Sequence, residues 1–126
     1  PLVPIRGDDV RRYINMIESV CPQYGVNPLI TLTTVNDRCF DSTVPLLFDR
    51  SDADATAKAN DCYRALVSAG QQEGFLPYRL NNDAMGILNT GDSAFSRLAS
   101  QLKATVDPNF ILAPGRYVPR IKRSEV

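Results

Sequence analysis

An α+β fold is predicted by three features of the sequence. Two stretches, Asp8 to Tyr24 and Ser51 to Gly74, repeat apolar residues at the three- and four-residue spacing of a helix with one buried face. Between them, two strand-like runs flank the polar Asn36-Asp37-Arg38, the pattern of an antiparallel hairpin. Past Phe75 the chain turns extended and then helical again. The order is helix, strand, strand, helix, with the two helices on one face of an antiparallel sheet. A mainly helical C-terminal segment follows.

Each element has its local reason. Asp8 or Asp9 is expected to cap the first helix, whose stripe is Val10, Tyr13, Ile14, Ile17, Cys21 and Tyr24. Pro22 falls in its last turn and can end regular hydrogen bonding early, and Gly25 supplies the stop. Leu29 to Val35 is rich in β-branched residues. Phe40, Ser42, Val44, Leu46 and Phe48 alternate with Asp41, Thr43, Pro45 and Leu47. Pro45 lacks a backbone donor, which points to an edge strand or a bulge. A lone hairpin is marginal in water, so further strands are expected from other sequence or another copy.

Ser51-Asp52-Ala53-Asp54 reads as a capping box opening the second helix. Its stripe is Ala55, Ala59, Cys62, Leu66 and Ala69, widened by Tyr63 and Val67, and Gly74 closes it. Asp83 to Leu88 is expected to form a short helix. Asp92 or Ser93 starts a clearer one, with Phe95, Leu98, Ala99, Leu102 and Val106 on one side, and Asp107-Pro108 ends it. The chain divides near Leu76.

Composition excludes several functions. Fourteen basic side chains balance fourteen acidic ones, so no global field draws nucleic acid or a membrane surface. The local cluster Arg116, Arg120, Lys122 and Arg123 reads as a solvated end rather than a binding patch. Three widely spaced cysteines and no histidine argue against a metal site and against a disulfide framework. Cys21 and Cys62 lie on apolar helix faces, as buried reduced thiols do, and an intracellular, cytoplasmic setting is expected. Beginning at Pro1-Leu2-Val3-Pro4, the chain is expected to be a fragment or a processed product.

Two stretches carry more information than the composition. One is Tyr78-Arg79; the other is Asp107-Pro108-Asn109-Phe110-Ile111-Leu112-Ala113-Pro114-Gly115-Arg116-Tyr117. In this order they resemble the C-terminal part of the vanillyl-alcohol oxidase and 4-cresol dehydrogenase family of FAD-linked oxidoreductases, which oxidise para-substituted phenols. The resemblance implies that residues 1–76 are the last part of a substrate-covering cap domain, and that 77–126 return to the FAD-binding domain. It also implies FAD as cofactor, a small phenolic substrate, the remainder of the flavoprotein chain as partner, and a homo-oligomer when intact. The 126 residues alone are expected to be inactive.

By the same resemblance, Tyr78 and Arg79 bind the substrate's phenolate oxygen, and Arg79 also faces the flavin. Hydride removal from the benzylic carbon of a phenolate gives a neutral quinone methide. A free phenol ionises near ~10, so the site must favour the anion. A guanidinium ~4 Å away contributes on the order of 4 kcal/mol at an effective dielectric near 20, roughly three pKa units before desolvation. Arginine stays charged and presents fixed donors, and a tyrosine hydroxyl can donate to the same oxygen. Adjacent side chains of an extended segment point opposite ways, so a bend near Pro77 is required. The resemblance further places Pro114, Gly115 and Arg116 beside the cofactor, and Leu32 and Thr34 on the substrate wall. Thr31 and Thr33 are equally good strand residues, and Arg38 is a turn charge.

The chain departs from the family at Phe110, where glycine is usual; a positive φ there would strain phenylalanine. With no histidine, the segment supplies no histidyl link to flavin. Two other readings stand beside this one. In the first, Arg79 clamps the carboxylate of a 2-hydroxy acid in a related FAD enzyme. In the second, a cofactor-free α+β module buries its helix and hairpin faces against another copy.

Overall fold

The computed structural model describes residues 1–81, 84–88 and 93–116. Asp83, Asp92, Tyr117, Arg120, Lys122 and Arg123, which figured in the expectations above, lie outside the described residues. The chain forms two compact units, Pro1–Arg79 and Leu80–Val126.

The first unit is α+β. It contains β1 (Leu2–Pro4), α1 (Gly7–Val20), β2 (Thr31–Thr34), β3 (Cys39–Thr43) and α2 (Ala53–Glu73). The strands make an antiparallel sheet in the order β1-β3-β2. β1 corrects the expectation that further strands come from elsewhere. Three residues are too few to show a period, yet Val3 is fully buried and pairs with Phe40. β3 is therefore the central strand, and Pro45 lies beyond its last residue rather than at an edge or bulge. Past Thr43, Val44 and Leu46 still pack against the core, so the alternation outlasts the ladder. The hairpin turn is set by Asn36, whose Oδ1 accepts from the backbone N–H of Arg38 at 2.8 Å and Cys39 at 3.1 Å.

α1 starts earlier than expected, with Arg6 at the N-cap and no side-chain cap bond. Asp8 and Asp9 sit in its first turn instead, where their charge favours the helix dipole. Asp9 is paired with Arg6 and Arg12 at 3.6 and 3.7 Å. Pro22 converts the end of the predicted helix into a 3₁₀ turn, Cys21–Tyr24, and Gly25 closes it at φ +71°. α2 is capped by Asp52, one residue later than a Ser51 box requires; its carboxylate accepts from Asp54 N and Ala55 N. At the other end, Gly74 takes φ +82°, Gly74 N donates to Gln71 O and Phe75 N to Gly70 O. A Cβ on Gly70 would lie 2.8 Å from Phe75 O, so this reversal needs a residue without a side chain.

The core joins Val3, Tyr13, Ile17, Cys21, Val26, Cys62 and Phe75, with Leu32, Phe40 and Leu66 partly buried against it. Cys21 and Cys62 are buried free thiols 4.0 Å apart. Burial pushes both up, Cys62 to about 12 with the help of its neighbour Cys21.

The second unit contains α3 (Met85–Leu88), a single turn, and α4 (Ala94–Val106). Ser93 caps α4 by accepting from Ser96 N. The apolar side of α4 is placed as expected on one face, but that face is open. Phe95 and Val106 are 77% and 78% exposed, and Leu98 and Leu102 are exposed as well. The residues α4 buries are Ser96 and Ser100.

Candidate functional site

The segment carrying Tyr78 and Arg79 leaves the core at a fixed point. Phe75 is buried, with its ring edge-on to Tyr13 at 5.1 Å and the Arg12 guanidinium 4.9 Å over its face. Arg12 is held in turn by Glu73, through its carboxylate at 3.3 Å and its carbonyl at 3.1 Å. Three residues further on the backbone bends at Tyr78. Its side chain is 59% exposed, yet its hydroxyl donates to Asp41 Oδ2 at 3.3 Å. The Tyr-Arg segment is thereby tied to the central strand of the hairpin sheet.

Asp41 sits in an unusual setting. Strands are poor in aspartate, and β3 pairs this one with Leu2 on one side and Thr33 on the other. Its Oδ1 is buried without a hydrogen-bond partner among the described residues. The next residue, Ser42, is buried as well. Its Oγ lies near enough to the Tyr13 hydroxyl to favour ionisation, but not at hydrogen-bonding geometry. Burial nevertheless pushes the Tyr13 hydroxyl up, against the influence of Ser42, and the charge of Asp41 adds to the rise. Sequence reasoning passed over Asp41. The available signal was a carboxylate in a strand whose neighbours are apolar or small.

The remaining site candidates are placed as follows. Arg79 is exposed and makes no hydrogen bond or ion pair among the described residues. Leu32 and Thr34 occupy the strand face shared with Ser42 and Phe40; Leu32 packs against the core and Thr34 is exposed. Thr33, opposite Asp41, is on the alternate face. A shallow cleft of about 350 Å³ between α1 and α2, lined by Arg12, Met16 and Glu73 among others, includes neither Tyr78 nor Asp41. Among the described residues no cluster fit for a metal occurs, and no helix is long and apolar enough to cross a membrane.

In the second unit, Asp107 organises the loop that holds Pro114, Gly115 and Arg116. Its buried carboxylate accepts from Lys103 Nζ at 2.8 Å and from Ile111 N and Leu112 N at 3.0 Å each. Lys103 foremost, with those two amides, holds this carboxyl below the usual range, against the effect of burial. The loop runs through positive φ at Phe110 (+51°), Ala113 (+42°) and Gly115 (+77°). The strain foreseen at Phe110 is therefore present. Pro114, Gly115 and Arg116 are exposed, and Arg116 N donates to Ala113 O. Arg79 in the first unit and Arg116 in the second are each an exposed guanidinium without a partner among the described residues, and either one by itself has the charge to suit the anionic edge of a reduced flavin. The sequence has no glycine-rich phosphate loop, so the residues fit an edge of that cofactor rather than its whole length.

No protein-family model matches the chain. It is 30% identical over 117 residues to 1'-carboxy-chondrochloren decarboxylase of Chondromyces crocatus, across 93% of this chain and 22% of that protein. It is 28% identical over 117 residues to the flavoprotein subunit of 4-cresol dehydrogenase (hydroxylating) of Pseudomonas putida, across 92% and 22%. The solved structure of p-cresol methylhydroxylase with substrate bound superposes with a TM-score of 0.86 at 27% identity, covering 94% of this chain and 23% of that one. The chain is thus similar to one stretch of each of these proteins. The isoeugenol complex of 4-ethylphenol oxidase from Gulosibacter chungangensis shares the fold, with a TM-score of 0.82 at 22% identity over 95% of this chain and 24% of that one. The α+β architecture of this chain thus recurs in both solved structures. The chain spans about a fifth of the length of its curated relatives, 22% in each case.

Proposed function

We propose that this chain is the C-terminal part of an FAD-dependent oxidoreductase that oxidises para-substituted phenols. The observation carrying this reading is the bond from Tyr78 to Asp41, which ties the Tyr-Arg pair to the hairpin and leaves Arg79 as an exposed, unclaimed cation. The likeness to p-cresol methylhydroxylase over 94% of the chain supports it. In this reading residues 1–76 belong to the substrate-covering domain and 77–126 to the FAD-binding domain. The exposed apolar side of α4 packs against the rest of the flavoprotein polypeptide.

When bound, FAD supplies a centre that accepts a hydride. This chain's residues act on the other end of the substrate. Arg79 holds the phenolic oxygen as an anion, and its fixed charge favours the electron shift that turns a phenolate into a quinone methide. Tyr78 presents its hydroxyl to the same oxygen from a position fixed by Asp41. Arg116, on its loop braced by Asp107, would by itself offer a cation to the cofactor. In this reading Thr33, on the strand face of Asp41, lines the substrate side, and Leu32 and Thr34 lie on the other face.

In the full-length flavoprotein, Arg79→Ala is expected to lower flavin reduction by a para-alkylphenol by two or more orders of magnitude, on the scale of losing one preorganised charge. FAD content should stay near normal. Wild-type turnover in that variant would defeat the assignment, and a substrate screen separates phenols from 2-hydroxy acids. The decarboxylase relative supports a second reading, in which the whole protein releases CO₂ from a carboxylated substrate. Trapping CO₂ and weighing the product tell the two apart.

A further inference from the structure

We infer that Asp41 takes up the proton of the phenolic substrate, through the Tyr78 hydroxyl, as the substrate is oxidised. This rests on the phenol-oxidising reading above and adds a residue and a proton route to it. A tyrosine hydroxyl has one proton and can accept through its oxygen. In this structure the proton of Tyr78 points at Asp41 Oδ2, 3.3 Å away. Toward an incoming phenol, Tyr78 is therefore an acceptor rather than a donor. The phenol O–H donates to Tyr78 Oη, and Tyr78 O–H donates to Asp41.

The transfer balances. The substrate O–H bond breaks and a Tyr78 O–H bond forms, while the original Tyr78 O–H breaks and an Asp41 O–H forms. One negative charge moves from Asp41 to the phenolic oxygen beside Arg79, and Tyr78 ends as a donor to that oxygen. The driving force would grow as the substrate is oxidised at its benzylic carbon. The phenolic oxygen is then becoming a carbonyl, and a protonated carbonyl is a strong acid. The free capacity of Asp41 agrees with this role, since its Oδ1 is buried with no donor among the described residues. The titratable groups facing Asp41 are Tyr78 and Tyr13 of α1.

The test uses the full-length flavoprotein with Asp41→Asn and Asp41→Glu. Anaerobic flavin reduction by a para-alkylphenol is followed from neutral pH up to the phenol's own ionisation near ~10. At neutral pH, Asp41→Asn is expected to be slower on the order of a hundredfold, the usual contribution of a general base. The loss should shrink as pH rises, and shrink also with a fluorinated, more acidic phenol. Asp41→Glu should recover part of the rate. A phenol with no sp³ benzylic carbon, 4-hydroxybenzaldehyde, gives a second readout, because its absorbance reports ionisation on binding. In Asp41→Asn its bound ionisation should need a higher pH. An unchanged rate, or a loss equal at every pH with unchanged 4-hydroxybenzaldehyde titration, overturns the relay while leaving phenol oxidation in place. A wild-type flavoprotein that no para-substituted phenol reduces defeats the underlying reading instead.

Discussion

The two units of this chain solve the same problem in opposite ways. In residues 1–79 the helices turn their apolar stripes inward: Tyr13 and Ile17 from α1, and Ala59, Cys62 and Val67 from α2, are all buried. In the second unit α4 has an equally regular stripe, yet Phe95, Leu98, Leu102 and Val106 are exposed while Ser96, Ser100 and Asp107 are buried. A helical period announces that a face exists, not what covers it. The first unit is held by packing, and the C-terminal loop of the second by a carboxylate that gathers a lysine and two amides. The candidate site draws on both kinds of order: Phe75 buried in the core sets where Tyr78 begins, and polar bonds aim the side chains.

The comparison breaks most visibly under truncation. In the 126-residue chain, Ile17→Ala is expected to cost about 2–5 kcal/mol, because it empties a filled site beside Tyr13 and Cys21. Leu102→Ala, on the exposed face of α4, should fall within about 0.5 kcal/mol of the parent. Urea unfolding followed by far-ultraviolet circular dichroism reads both, the sequence having no tryptophan. Comparable losses from the two substitutions would mean that the α4 face is covered in solution.

A smaller effect separates the units by pH. Cys62 rises from 9.0 to about 12 in the folded state, and Cys21 and Tyr13 also rise. The unfolded chain therefore loses these protons first. Their contribution is complete below pH ~9 and drains away toward ~12, by at most about 1.4 kcal/mol per pH unit for one thiol. Asp107 has the reverse sign, lowered from 3.8. Its contribution is complete above that value and is lost as pH falls through the folded one. Alkaline melting should thus weaken the first unit, while the amide resonances of Ile111 and Leu112 should move in acid. An alkaline side as flat as the neutral range would contradict the burial of the thiol pair.

What could be read from the sequence follows the same division. The helix periods, the Asp52 and Gly74 signals and the Asn36 turn are local, and each appears in the structure within a residue or two of its expected place. β1 was not legible, because Leu2-Val3-Pro4 forms a strand only by pairing with β3, far along the chain. Asp41 was missed for a related reason. Its meaning comes from Tyr78, thirty-seven residues away, and alternation alone makes it one more polar strand residue. Tyr78-Arg79 was noticed through resemblance, but its anchor on the hairpin emerges only in three dimensions.

Phe110 gives the finest test of how the second unit is held. Its φ of +51° places a bulky side chain in the left-handed region, where most residues are strained by about 1–2 kcal/mol. The loop accepts this because Asp107 fixes both sides: its carbonyl takes Phe110 N at 3.0 Å, and its carboxylate takes the next two amides. The Phe110 ring also lies 5.9 Å from Lys103 Nζ, the outer edge of a cation–π contact. Phe110→Gly removes the strain and that weak contact, and it loosens the unfolded chain by about 0.4–1 kcal/mol. The net change should be a gain smaller than about 1 kcal/mol, with the Ile111 and Leu112 amides still protected from hydrogen exchange. A clear loss of stability with those amides exposed would show that the ring, rather than the Asp107 bracket, holds the loop in shape.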